Sequence, residues 1–165
     1  MIREANLPDA EAIAGIIVET WKFAYTGIVE ESYSGNLPLQ KFVRIMSDNL
    51  LFKKETVFVH ECNGKISGFI SGKLSGEEKG LGEIIGFYVL PEYQRAGTGR
   101  SLFQHMKDFF FREGCRRISL WTLKGAGNNS FYRKNGGKAA EEKPVKIGEK
   151  EYDGIRFVFE LEAGI

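Results

Sequence analysis

"EIIGFYVLPEYQRAGTGRSLF", residues 83–103, passes from an apolar run, through two glycines flanked by arginines, into a segment with helical spacing. The run 83–90 predicts a strand, and the segment from about 98 to 113 predicts a helix with Leu102, Met106, Phe109 and Phe110 turned inward. Gly114 then ends that helix. Gly97 and Gly99 stand at the handover, where three readings compete. The glycines can simply permit positive φ in a tight turn. A dinucleotide fingerprint does not fit, because Leu102 occupies the place of its third glycine and the strand is the fourth in order. A Walker A loop fails for want of a following Gly-Lys-Ser/Thr. The remaining reading is an anion site at a helix N-terminus. There the first N–H groups lack partners, the dipole is positive, and Arg95 and Arg100 add charge-assisted hydrogen bonds.

Working outward, the pattern divides the chain into alternating blocks. Residues 1–5 predict a short first strand, and Pro8 and Asp9 open a helix with Ile13, Ile16, Ile17, Thr20, Trp21 and Ala24 on one face. A turn-rich loop (26–38) leads to a second helix near 39–52. "TVFVHEC" (56–62), the Asn63-Gly64 turn and "ISGFISGKL" (66–74) form a hairpin, in which Gly68 and Gly72 suggest a bulge or close backbone approach. After the central strand and helix come a strand (116–123), a short helix (128–135) and two strands near 139–147 and 151–161. The order β-αα-β-β-β-α-β-α-β-β predicts an α/β (α+β) domain with a mixed sheet of six to seven strands and helices on its faces.

The totals bound the function. A chain of 165 residues with 42% hydrophobic residues suits a single globular domain over 1–165. A formal charge of +1 argues against nucleic acid or a membrane surface as the main partner. No apolar run approaches the ~20 residues of a membrane span, and no signal peptide is visible, so a soluble, cytoplasmic protein is expected. Cys62 and Cys115 show no metal-ligand spacing and read as reduced thiols; no metal is expected. His60 and His105 have no evident catalytic partner.

The stretch "QRAGTG" (94–99), the strand before it, and "SFYRKNGG" (130–137) after it resemble the GCN5-related N-acetyltransferase (GNAT) superfamily. "DAEAIAGIIVETWKFAYTGI" (9–28) is similar to its opening helix, so the resemblance covers nearly the whole chain. It implies the GNAT fold, a mostly antiparallel sheet whose fourth and fifth strands splay apart, with acetyl-CoA as co-substrate. The pantetheine arm would lie against the backbone of Phe87, Tyr88 and Val89. The pyrophosphate would rest on Gln94, Arg95, Ala96, Gly97, Thr98, Gly99, Arg100 and Ser101. The family often carries an Asn about six residues before the Phe-Tyr pair; Gly125 stands there, leaving Asn128 or Asn129 to face the pantetheine.

The implied reaction is direct transfer of acetyl to a primary amine of a small molecule or protein. An alkylammonium with pKa ~10.4 must first lose its proton, which costs about 4–5 kcal/mol at pH 7. Glu83, at the start of the fourth strand, has a register resembling that of the catalytic glutamate in the histone-acetyltransferase branch of the superfamily; Glu61 and Glu92 are alternatives. Tyr132 would protonate the departing sulfur, a transfer uphill by about 2 kcal/mol in water from pKa values of ~10 and ~8.5. The Val89 N–H would hold the carbonyl oxygen, and Trp21, Tyr25 and Tyr33 would flank the acceptor. A monomer or homodimer is expected. The alternative is an acetyl-CoA-binding module of the same fold without transfer.

Overall fold

The computed structural model describes residues 1–162. Its strands are β1 (Ile2–Glu4), β2 (Thr56–Cys62), β3 (Lys65–Leu74), β4 (Leu81–Val89), β5 (Arg117–Leu123), β6 (Lys138–Ile147) and β7 (Lys150–Glu160). Its helices are α1 (Ala10–Ala24), α2 (Glu31–Ser34), α3 (Leu39–Phe52), α4 (Thr98–Arg112) and α5 (Asn129–Lys134). The seven strands form one sheet in the order β1-β2-β3-β4-β5-β7-β6. Every pairing is antiparallel except β4–β5. The predicted order therefore holds, with one addition: α2, a single turn inside the expected 26–38 loop.

Helices cover both faces. Helix α1 packs with α3 and buries Ile13, Ile16 and Ile17 against Val57, Val59 and Phe69. On the other face, α4 buries Leu102, Phe103, Met106 and Phe110 against β2–β5 and β7. Each such side chain contributes about 1.5–3 kcal/mol when fully removed from water. Phe109, expected inward, is only half-buried, and Phe103 takes the inner place (1% exposed). The buried stripe 102, 103, 106, 110 is the i, i+1, i+4, i+8 face of a helix lying flat on a sheet.

Two glycines fix where α4 lies. A Cβ at Gly82 would stand 2.6 Å from the Phe110 ring, and one at Gly72 2.8 Å from its Cζ. The ring thus sinks onto bare β3–β4 backbone, which is the close approach the strand glycines suggested.

The β4–β5 ladder is short. It pairs Leu81 with Arg117, Gly82 with Ile118, Glu83 with Ser119 and Ile84 with Leu120, and then stops, although β4 runs on to Val89 and β5 to Leu123. On its other edge β4 pairs Ile84 with Gly72 but Gly86 with Ser71, so Ile85 is an extra residue. A bulge bends its strand and strengthens the local twist. Here it falls where the parallel pairing ends, and the two strands part.

Candidate active site

The parted strands enclose a cleft lined by Tyr25, Ile84, Ile85, Phe87, Tyr88, Leu120, Trp121, Thr122, Asn128 and Tyr132. Its free volume is about 30 Å³. The β4 wall offers backbone groups. The Leu90 N–H donates to the Ser67 carbonyl at 2.9 Å, which makes Gly68↔Val89 the non-hydrogen-bonded type of antiparallel pair. The Val89 N–H and C=O therefore point away from β3, toward the open side, and by alternation so do those of Phe87. Gln94 uses its side chain here: Nε2 donates to the Val89 carbonyl at 2.9 Å, tying the following loop to the end of β4.

That loop carries the glycine stretch. Arg95 (φ 62°) and Gly97 (φ 87°) are both left-handed, and Gly97 is the N-cap of α4, with no side chain bonded to the helix's first N–H groups. Successive amides turned in this way form an anion-binding concavity, and the helix dipole adds to it. Arg95, Ala96 and Arg100 are exposed, Thr98 is buried, and neither arginine is engaged by a carboxylate among the described residues. Ser101 is exposed, its N–H already bonded to the Gly97 carbonyl. The donors suit a pyrophosphate, and the unpaired edge of β4 suits an amide-bearing arm.

Helix α5 closes the other side. Tyr132 packs on Phe157 and Phe159 and near Phe87, and its hydroxyl has no hydrogen-bond partner among the described residues. Burial pushes its phenol well above an ordinary tyrosine, so it stays protonated and is a donor. Burial likewise raises Tyr25 and Tyr88, whose rings share the cleft. Of the two asparagines, Asn128 lines the cleft and accepts from the Thr122 hydroxyl (3.1 Å). Asn129 is buried, donating to the Leu123 carbonyl (3.2 Å), with its Oδ1 unpartnered.

Glu83 is half-buried in the paired part of β4 and is not among the lining residues. Gly82 faces α4, so Glu83 faces the opposite side of the sheet, whereas Tyr132 is on the α4 side. The two groups flank the gap from opposite faces. Glu61 is held by Arg3 (2.9 Å) and Glu92 lies exposed near Lys65 (3.7 Å), so neither reaches the cleft. Trp21, Tyr25 and Tyr33 form one aromatic cluster, with ring centroids at 4.7 and 6.2 Å, but only Tyr25 lines the cleft. Tyr33 instead supports the β6–β7 turn at Gly148. Cys115 is buried, its thiol pushed up by burial, and Cys62 is half-buried. His60 Nδ1 is 2.7 Å from the Ser67 hydroxyl, and His105 packs edge-on to Phe58, both away from the cleft. Ile84, Ile85, Leu120, Trp121 and Thr122 are lining residues that sequence reasoning missed.

A sheet parted in this way, with an anion cradle beyond the gap, is the architecture of a transferase that takes an acyl group from coenzyme A. The chain belongs to the acetyltransferase (GNAT) family, whose model matches residues 21–137, and it is an N-acetyltransferase with acetyl-CoA as co-substrate. It is 29% identical over 134 residues to YuaI of Bacillus subtilis, an uncharacterized N-acetyltransferase (80% of this chain, 76% of that one). It is 24% identical over 146 residues to the spermidine N(1)-acetyltransferase of Thermoplasma acidophilum (85% and 89%). In structure it is similar to the PaiA N-acetyltransferase of T. acidophilum in complex with coenzyme A (TM-score 0.78, 20% identity, 97% and 98% covered). It is also similar to YncA of Salmonella typhimurium with acetyl-CoA (TM-score 0.72, 21% identity, 100% and 95% covered). Among the described residues no helix is long and apolar enough to cross a membrane, and no cluster suited to a metal ion is present.

Proposed function

We propose that the protein transfers acetyl directly from acetyl-CoA to a primary amine, with Glu83 and Tyr132 as base and acid on opposite faces of the sheet. The observation that carries this is the β4–β5 ladder ending at Ile84↔Leu120, in a cleft that Tyr132, a buried residue, lines. Acetyl-CoA supplies a thioester carbonyl already activated for attack. The chain's residues do the rest. Gln94 and Gly97 hold the loop so that its amides, with Arg95 and Arg100, meet the pyrophosphate. Phe87 and Val89 offer backbone groups to the arm, Asn128 stands beside it, and the Val89 N–H receives the carbonyl oxygen.

The amine enters from the outer face, past Tyr25 and the Trp21–Tyr33 cluster. Its proton passes to Glu83, directly or through water. The N–C bond forms, the C–S bond breaks, and Tyr132 gives its proton to the sulfur. No enzyme nucleophile takes part, in keeping with the buried Cys115. The relative that acts on spermidine supports an amine as acceptor. The test is CoA release with an amine panel, followed by a thiol reagent, in wild type and Tyr132→Phe. The variant should lose about 10²-fold or more in turnover with CoA affinity within about twofold. Unchanged turnover removes Tyr132 from the chemistry, and CoA binding without transfer to any amine favours a binding module.

A further inference from the structure

Trp121 sits where β5 leaves β4, is one of the residues lining the cleft, and carries its indole on the face of the sheet opposite α4. That face is set by contacts: Leu120 packs on the α4 side, so Trp121 points away, over Gly154, where a Cβ would be 3.5 Å from the ring. The indole is already in use. Lys143 Nζ stands 4.4 Å from its centroid, and Lys143 pairs in register with Gly154, which leaves its side chain a clear path across the ring. Neighbouring cations have carboxylates: Lys124 has Glu142 at 3.2 Å and Arg156 has Glu141 at 4.0 Å. Lys143 has none within 4.0 Å among the described residues, and is held by the ring face alone.

An ammonium over an indole is attracted by the ring quadrupole, and a flexible, exposed lysine bound only in this way is readily displaced. Glu83 is on the same face, paired with Ser119, two residues or about 7 Å along β5 from Trp121. We propose that the face of Trp121 is a cation-binding plate of the acceptor site, which Lys143 occupies in the free enzyme and the acceptor's ammonium takes over. The favoured acceptors are then amines carrying a second, distal positive charge: one ammonium rests on Trp121 while another nitrogen reaches the gap. This rests on the acetyltransferase reading of the cleft. Lys143 acts as an intramolecular competitor that admits cationic chains and is not displaced by neutral ones.

The test is binding, which does not require turnover. CoA is titrated first into wild type, Lys143→Ala and Trp121→Leu. Then 1,5-diaminopentane and 5-aminopentan-1-ol, chains of equal length with a charged or a neutral tail, are titrated into each CoA complex. The diamine should bind Lys143→Ala about threefold or more tighter than wild type, and Trp121→Leu about fivefold or more weaker than Lys143→Ala. The amino alcohol should move by less than about twofold throughout. Trp121→Phe, which keeps a ring, should recover part of the diamine affinity and controls for misfolding of the leucine variant. Equal changes for both ligands, or no gain in Lys143→Ala, overturn the proposal while leaving the CoA site standing. Failure of CoA to bind wild type overturns the site reading and this proposal with it.

Discussion

Replacing Gly99 by alanine separates what the glycine does for the protein from what it does for the ligand. A Cβ there would lie 3.7 Å from Phe87 Cζ, 3.8 Å from Val89 Cγ2 and 3.9 Å from Phe131 Cε2, all ordinary contacts. The protein therefore has room for the methyl. In a helix alanine is favoured over glycine by up to about 1 kcal/mol, so Tm should stay level or rise by up to about 2–4 °C in a chain of this size. The methyl would nevertheless stand beside Phe87, Val89 and Phe131, next to the first-turn amides proposed to receive the phosphate. Losing one hydrogen bond to a charged group costs about 1.5–3 kcal/mol, roughly ten- to a hundredfold in CoA affinity. Gly97→Ala should behave differently: its φ of 87° is left-handed, so alanine there costs about 1–2 kcal/mol of stability as well. Thermal melts and calorimetric CoA titrations on both variants decide the matter. A Gly99→Ala protein that melts at or above wild type and binds CoA within twofold refutes the idea that this glycine clears space for phosphate.

Other expectations follow from the same geometry. Glu83→Gln should lower turnover by about 10²-fold near neutral pH with CoA affinity unchanged, and raising the pH should recover part of the loss as the amine deprotonates unaided; a flat profile would exclude Glu83 as base. The phenols of Tyr25, Tyr88 and Tyr132 are all raised by burial. Above pH ~10, where unfolded tyrosine ionises, the folded state then binds more protons than the unfolded one. Stability is full below that pH and falls as pH rises toward the folded values, so Tm should be level to about pH 9.5 and then drop, less steeply in Tyr132→Phe. Gly82→Ala would put a methyl 2.6 Å from the Phe110 ring; it should cost about 1–3 kcal/mol in denaturant unfolding, and more if α4 shifts and weakens CoA binding.

The fold was legible wherever a pattern is local. The alternation of Ile155, Phe157 and Phe159 marks β7, and the Asn63-Gly64 turn marks the β2–β3 hairpin. Helix α2 was not legible, since four residues, Glu31–Ser34, make one turn and carry no period. Phe103 was passed over because a helix lying on a sheet buries a wider stripe than two positions per turn. In the candidate site, the glycine loop and the Phe-Tyr pair are contiguous stretches, and such signals are readable in a sequence. Leu120, Trp121 and Thr122 belong to the site only because β5 parts from β4, a relation between segments more than thirty residues apart that leaves no mark within either. The register of Glu83 was readable, but not that Glu83 and Tyr132 approach the gap from opposite faces.

Ile85 has a consequence beyond ending a ladder, because it reverses the parity of β4. Before it, even positions turn toward α4, as Gly82 does against Phe110; after it, odd positions do, as Phe87 does against Phe103. Glu83 and Tyr88 consequently look out on the same side although their numbers differ in parity. One strand can thus turn a carboxylate and a phenol to one side while stacking Phe87 and Val89 under α4, the helix proposed to bear the phosphate site. Deleting that single residue would barely alter composition or hydropathy, yet it would exchange the faces of everything that follows. The count of residues from Glu83 to Gln94 is therefore as much a part of the site as the residues themselves.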